Sequence, residues 1–421
     1  MEETRTARLP IMQKFGPGLV FLLSALGAGD IVSNAAAGAQ YRFSLAWVLL
    51  GALVFRFVWL DTSARYVLLT GQSLLQGFHR FGSWATWFVL GAVVLVRHGL
   101  NLSKILLLGE ATQLLFPLPG SSGTAIWAVF WSLVAFAVVV WGGYRWIEKL
   151  FTGILVALGG MFVAAAYYHF PPVEALVAGL TVPSLPAGDG PFSTPIVILA
   201  LIGTEAGSMT NLTYSYFVRE KGWRTAEAMT RQRRELFGSI SCMFLMGLLV
   251  QITAAGVFAQ RGAAFRSTEE LVQLLGETQG VFGSVVFALG LWAALFTGLV
   301  GATTGYGLIA VDAVRRLLFP GRSGEVARES REPKHDPLFR GLAALWILGP
   351  LYILWIPVEP LELLLLSHAL AALMIPLLAL GLLALVNGRS LRERFAYRWV
   401  VNAVLVLITG SSLAAAVAAA W

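Results

Sequence analysis

Charge is what this sequence has least of. Only 13 % of its 421 residues are Asp, Glu, Lys or Arg, 57 % are hydrophobic, and the mean hydropathy is +0.74. A water-facing surface cannot be tiled from so few charges, which excludes a soluble or secreted enzyme. One cysteine, Cys242, excludes an internal disulfide and any Cys-based zinc site. The opening stretch MEETRTARLP is polar and has no apolar core, so no cleavable signal peptide is expected there. Strand-like alternation is missing, as is any polar stretch long enough for a separate soluble domain. The sequence also lacks a His- or Asp-rich motif, a serine elbow and a nucleotide-binding loop, so it does not read as an enzyme, and no cofactor is expected. Without a sensing or effector domain it does not read as a receptor either. The net charge of +7 would ordinarily suggest a nucleic-acid partner, but a lipid-embedded chain excludes one.

Long apolar runs are what the sequence has in their place. A helix of about 20 apolar residues crosses the hydrocarbon core. Eleven such spans can be read, at about 18–39, 44–69, 85–116, 124–142, 148–168, 194–218, 237–260, 281–313, 340–356, 360–386 and 396–419. The third and eighth are long enough to tilt or to project from the bilayer. With the N-terminus on the cytoplasmic side, 23 of the 30 Lys and Arg fall in or beside inside segments, 3 fall outside and 4 lie within spans. An odd number of spans then places the C-terminus outside. The positive charge is thereby a matter of topology, with a basic cytoplasmic loop over 219–235 as its densest part.

Two spans are interrupted in their middles. Span 1 carries Gly27-Ala28-Gly29-Asp30, and span 6 carries Gly203-Thr204-Glu205-Ala206-Gly207-Ser208. Glycine loosens a helix by about 1 kcal/mol, and a carboxylate at mid-membrane costs about 2.5 kcal/mol or more unless paired. Both costs recur in the first helix of each of two halves, the pattern of a transporter whose broken helices enclose a central site. Asp30 and Glu205 are therefore candidate ligands, with the carbonyls freed around Gly27 and Gly29. Arg97, Asn101 and Lys104 follow at i, i+4 and i+7 on one face of span 3, which must look inward. Lys104 is expected to neutralise Asp30 or Glu205, leaving the empty site near −1. Arg65 is expected to pair with Asp61 four residues before it. His368, beside Ser367 in span 10, is a further candidate.

The sequence resembles the NRAMP family of divalent-metal transporters. The likeness is carried by Gly16-Pro17-Gly18, Ala36-Ala37-Gly38-Ala39-Gln40-Tyr41, Ser63-Ala64-Arg65, Thr70-Gly71, and Gly143-Tyr144-Arg145 with Glu148-Lys149. It is stronger over the first six spans than over the last five. The resemblance implies an all-helical LeuT-like fold of five-plus-five inverted repeats with helices 1 and 6 broken, and alternating access. Repeat one would cover about 15–168, repeat two about 193–386, and an extra helix about 396–419.

The site departs from the family pattern. The family's Asp-Pro-Gly-Asn positions hold Gly27, Ala28, Gly29 and Asp30, and its Ala-x-x-Met-Pro-His positions hold Glu205, Ser208, Met209 and Thr210. The acidic proton-path pair falls on Asn101 and Lys104, and His368 replaces a polar residue. The resulting substrate set is Gly27, Gly29, Asp30, Glu205, Ser208, Thr210, Asn211 and His368, with Asp30 and Glu205 as metal ligands. Arg97, Asn101 and Lys104 supply coupling or charge compensation. Carboxylates and hydroxyls without sulfur suit a hard cation such as Mn²⁺ or Mg²⁺, carried as substrate across the cell membrane. A small organic or amine-bearing solute is the alternative. The remaining partner is the lipid bilayer, and nothing specifies an oligomeric state.

Overall fold

The residues that leave the helices decide where the site forms. The computed structural model describes residues 27–142, 144–186, 191–221, 226–261, 265–318, 336–388 and 398–420. Among these residues there are helices, turns and loops but no strand. Gly16-Pro17-Gly18, the start of span 1, Gly143 and residues 319–335 and 389–397 lie outside the described residues.

In chain order the α-helices are α1 Ala28–Tyr41, α2 Ala46–Thr70, α3 Leu74–His79, α4 Ser83–Leu115, α5 Gly123–Trp141, α6 Tyr144–Tyr168, α7 Val173–Thr181 and α8 Thr194–Leu201. Then come α9 Thr210–Lys221, α10 Ala226–Arg261, α11 Thr268–Leu318, α12 Pro337–Ile347, α13 Pro360–Ala372, α14 Ile375–Val386 and α15 Arg398–Ala420. Eight spans are long and apolar enough to cross a membrane, and a ninth is formed by the bent pair Gly153–Tyr168 and Val173–Thr181, all among the described residues. The chain is a multi-pass membrane protein. Each of the eleven sequence segments falls on helix, the first for its part from Ala28 onward.

Local chemistry sets the ends. At the start of α3, Ser73 Oγ accepts from the Gln76 N–H at 3.4 Å while Gln76 Oε1 accepts from the Ser73 N–H at 2.9 Å, a reciprocal capping box. α4 has 33 residues, about 50 Å at 1.5 Å per residue, so it overreaches a hydrocarbon core of about 30 Å. α11 has 51 residues but is kinked at Gly280, whose φ of 66° lies in the left-handed region. The span read from residue 281 begins at that kink.

One expectation needs correction. The basic stretch 219–235 is mostly helix: α9 runs to Lys221, and α10 starts at Ala226. Basic residues end an apolar span without ending a helix, and Arg231 pairs with Glu235 one turn on at 3.2 Å. The span at 360–386 is one 27-residue span made of α13 and α14. Pro376 in the first turn of α14 lacks an N–H and would crowd the carbonyl of residue 372, so the helix is interrupted at Leu373 and Met374, which keep helical backbone angles.

The most extensive helix pair is α4 against α11. α1 packs on α10, α8 on α13, and α13 on α4. The first turn of α1, the end of α8, and the middles of α4, α11 and α13 therefore meet in the interior.

Candidate functional site

The first interruption is a helix start. Gly27 is extended, and the Asp30 carboxylate turns back to accept from the Gly27 N–H at 2.7 Å. That caps one of the amides a helix N-terminus leaves without a partner, and it keeps Asp30 92 % buried.

The second interruption is longer. α8 passes into a π-helical turn at Ile202–Ala206, and Gly207 then takes φ 67°, which ends the helix before α9 restarts at Thr210. The carbonyls freed there need donors, since lipid supplies none. Arg56 of α2 donates through one terminal nitrogen to the carbonyls of Thr204 and Glu205 at 3.2 and 3.1 Å. Asn211 donates to those of Ala206 and Gly207 at 2.8 and 3.1 Å. Carbonyls that the sequence leaves open to a substrate are thus already engaged.

His368 of α13 closes the space between the two interruptions. Its Nδ1 lies 2.8 Å from the Leu364 carbonyl. A carbonyl only accepts, so Nδ1 carries the proton and Nε2 presents a lone pair. A Cβ on Gly29 would lie 2.5 Å from that Nε2, and one on Gly203 would collide with the His368 carbonyl. Glycine at both positions is what lets the three segments converge.

The resulting cavity is small, with a volume of about 50 Å³. Its wall includes Gly27, Gly29, Asp30, Arg97, Lys104, Ser208, Thr210 and His368, all expected from the sequence, together with Arg56, Thr204 and Gly298. Glu205, Asn211 and Asn101 do not line it. Glu205 sits one layer back, where its Oε1 accepts from Asn34 Nδ2 at 2.5 Å. Asn211 serves the carbonyls of the interruption. Asn101 faces α12 and donates to the Trp346 carbonyl at 2.5 Å.

Sequence reasoning missed three contributors. Arg56 was visible as a charge within a span, but its carbonyl partners lie almost 150 positions away. Tyr306 of α11 bonds Thr210 Oγ1 at 3.1 Å and lies under the Arg97 guanidinium, 5.6 Å from its ring centre. Neither Tyr306 nor Asn34 carries a distinguishing sequence signal.

The charge balance also differs. The sequence sets two acids against Lys104 and arrives near −1. The fold adds Arg56 and Arg97, so the five ionised groups sum to +1, and the wall alone sets three cations against Asp30. Lys104 makes no ion pair with Asp30 or Glu205 within 4 Å among the described residues. Within those residues no group of three or more His, Cys, Asp or Glu is placed to hold a metal ion. The expected pairing of Arg65 with Asp61 is present at 3.0 Å.

A family profile described as "Natural resistance-associated macrophage protein-like" matches residues 18–421. The chain belongs to the Nramp family. Among curated Nramp relatives, the divalent metal cation transporter MntH of Erwinia tasmaniensis is 25 % identical over 429 residues, with 97 % of each chain covered. Among solved structures, the manganese transporter of Eremococcus coleocola superposes with a TM-score of 0.66 at 17 % identity, covering 94 % of this chain and 84 % of that one. Mhp1, a nucleobase-cation-symport-1 family transporter, superposes with a TM-score of 0.57 at 15 % identity, covering 91 % and 79 %. The Nramp chain thus has the LeuT-like architecture that these structures share.

Proposed function

We propose that the protein is a secondary active transporter that moves a hard divalent cation, Mn²⁺ or Mg²⁺, through this cavity by alternating access. The observation that carries the reading is the convergence of two helix interruptions, at Gly27–Asp30 and at Ile202–Gly207, on one charged cavity in the interior. Membership of the Nramp family and likeness to relatives named as divalent metal cation transporters support it.

Asp30 and the Nε2 lone pair of His368 are the proposed ligands, with the hydroxyls of Ser208 and Thr210 beside them. Glu205 acts on them through Asn34 and does not bind directly. The two repeats, about 15–168 and 193–386, would move against one another around the site, with the helix at about 396–419 outside them. The excess of basic residues supports a cytoplasmic N-terminus and a C-terminus on the opposite side. A charged amine has less support than a metal, because the chain's relatives are named as divalent metal cation transporters.

The test is uptake into proteoliposomes. Among the described residues no thioether or thiol lines the wall, so Cd²⁺ is expected to enter no better than Mn²⁺ or Mg²⁺. A strong preference for Cd²⁺ would refute the hard-cation assignment, and absence of any dication uptake would refute metal transport.

A further inference from the structure

The cavity carries more positive charge than a metal cargo calls for. Arg56, Arg97 and Lys104 stand on its wall against Asp30, with Glu205 behind Asn34. These groups sum to +1 when ionised, and a dication entering alone would raise the sum to +3. At membrane depth every uncompensated charge is expensive.

The excess has a definite location. Arg97 is 99 % buried and donates to the carbonyls of Gly298 and Leu299 at 3.0 and 3.1 Å, but its Nε–H has no partner among the described residues. Lys104, two turns further along α4, is 92 % buried. Its Nζ lies 3.3 Å from where a Cβ on Gly298 would stand. Both cationic heads therefore meet beside Gly298, on the cavity wall. Among the described residues, the Lys104 ammonium makes no hydrogen bond and no ion pair. An ammonium has three donors and no acceptor, so at this depth its partners must come from the cavity contents.

We propose that the wall formed by Arg97, Lys104 and Gly298 binds a small monoanion, a halide or a carboxylate of formate size, and that the metal crosses together with it. The anion brings the group from +1 to neutral before the metal arrives, so the dication meets Asp30 and His368 without a net repulsive field. Small size follows from where the two heads meet, and single charge follows from the balance. A carboxylate gains further because guanidinium and ammonium groups donate charge-assisted hydrogen bonds to it. The co-transport half of the proposal rests on the preceding reading that this cavity is the transport site; the anion site itself does not.

The full chain, purified in detergent, is unfolded thermally at constant ionic strength while chloride or formate replaces gluconate, which is too large to enter. The expected result is a saturable rise in melting temperature with chloride or formate. Lys104→Met should weaken the apparent anion affinity about tenfold or more, and Lys104→Arg should stay within about threefold of the wild type. If the Met variant does not fold, the wild-type titration still decides: equal behaviour in all three salts overturns the anion site. In proteoliposomes, Mn²⁺ uptake is expected to be about tenfold slower in gluconate than in chloride or formate. Equal Mn²⁺ uptake in all salts overturns co-transport and leaves the metal reading standing. Saturable anion binding without Mn²⁺ or Mg²⁺ uptake in any salt overturns the metal reading and co-transport, and leaves the anion site standing.

Discussion

Asn34 donates through one amide nitrogen to the Asp30 carbonyl at 2.8 Å and to Glu205 Oε1 at 2.5 Å, and its Oδ1 accepts from Gln251 Nε2 at 2.9 Å. It holds the second acid of the site away from the cavity while keeping it tied to the helix that carries the first. Glu205 is 99 % buried and its Oε2 has no partner among the described residues, so it depends on this one side chain more than an exposed acid would. Removing a donor from a buried carboxylate costs about 1–3 kcal/mol, and more when the group is charged. Asn34→Ala is therefore expected to lower stability by at least about 2 kcal/mol. In a thermal-shift cycle, Asn34→Ala and Glu205→Gln should be non-additive by about 1 kcal/mol or more, whereas Lys104→Met and Glu205→Gln should add within about 0.5 kcal/mol. The opposite pattern would return Glu205 to the cavity beside Lys104. The sequence announces Glu205 as a carboxylate where one is costly, but Asn34 is an ordinary polar residue in an alanine-rich helix. Only the packing of α1 against the end of α8 makes it the partner.

At the scale of the element, the positions where helices stop were legible in proportion to how much the residue itself forces the stop. Gly207 and Gly280 take left-handed backbone; the glycines around Glu205 marked the first in the sequence, whereas the second carried no sign beyond the start of a span at 281. Pro376 sits in an unbroken apolar run, where hydropathy hides the interruption of the helix. The bend between α6 and α7, 117° between Gly153–Tyr168 and Val173–Thr181, falls at His169-Phe170-Pro171-Pro172. His169 links it to α11 through Thr278 Oγ1 at 3.0 Å, and its side chain packs where a Cβ on Gly256 of α10 would stand. Burial pushes the His169 imidazole below its ordinary value of 6.5. The unfolded chain thus binds the proton more readily, so the stability associated with neutral His169 is present above about pH 6.5 and falls as pH drops below it. Melting temperature should decrease between pH 7.5 and pH 5.5, and His169→Gln should flatten that decrease. An unchanged slope in the variant would place the pH sensitivity elsewhere.

At the scale of the whole molecule, the basic residues make a directional claim. With 23 of 30 Lys and Arg assigned to one side and 3 to the other, an odd number of spans must put the two ends of the chain on opposite faces. Tags at the N- and C-termini are expected to differ in protease access in intact cells, with only the C-terminal tag cleaved from outside. Cleavage of both, or of neither, would require an even number of crossings. The helix Arg398–Ala420 is the span on which that parity turns.

Hydropathy by itself determined that this chain lives in a bilayer, where its spans run, and where two of them are interrupted. Those properties are local: a run of apolar residues is driven into lipid as a helix whatever its neighbours are, and glycine beside a carboxylate weakens it at that point. The Asp61–Arg65 pair was legible for the same reason, since four residues of helix place the two side chains together. Which charges share the cavity was decided only by the tertiary structure. Arg56 reaches Thr204 and Glu205, Asn34 reaches Glu205, and Arg97 reaches Gly298, across separations of 148, 149, 171 and 201 residues. Helices so far apart in sequence meet in a register set by side-chain packing, and no periodicity within either one records which face of the other it will meet. That register turned an expected charge near −1 into an excess of +1.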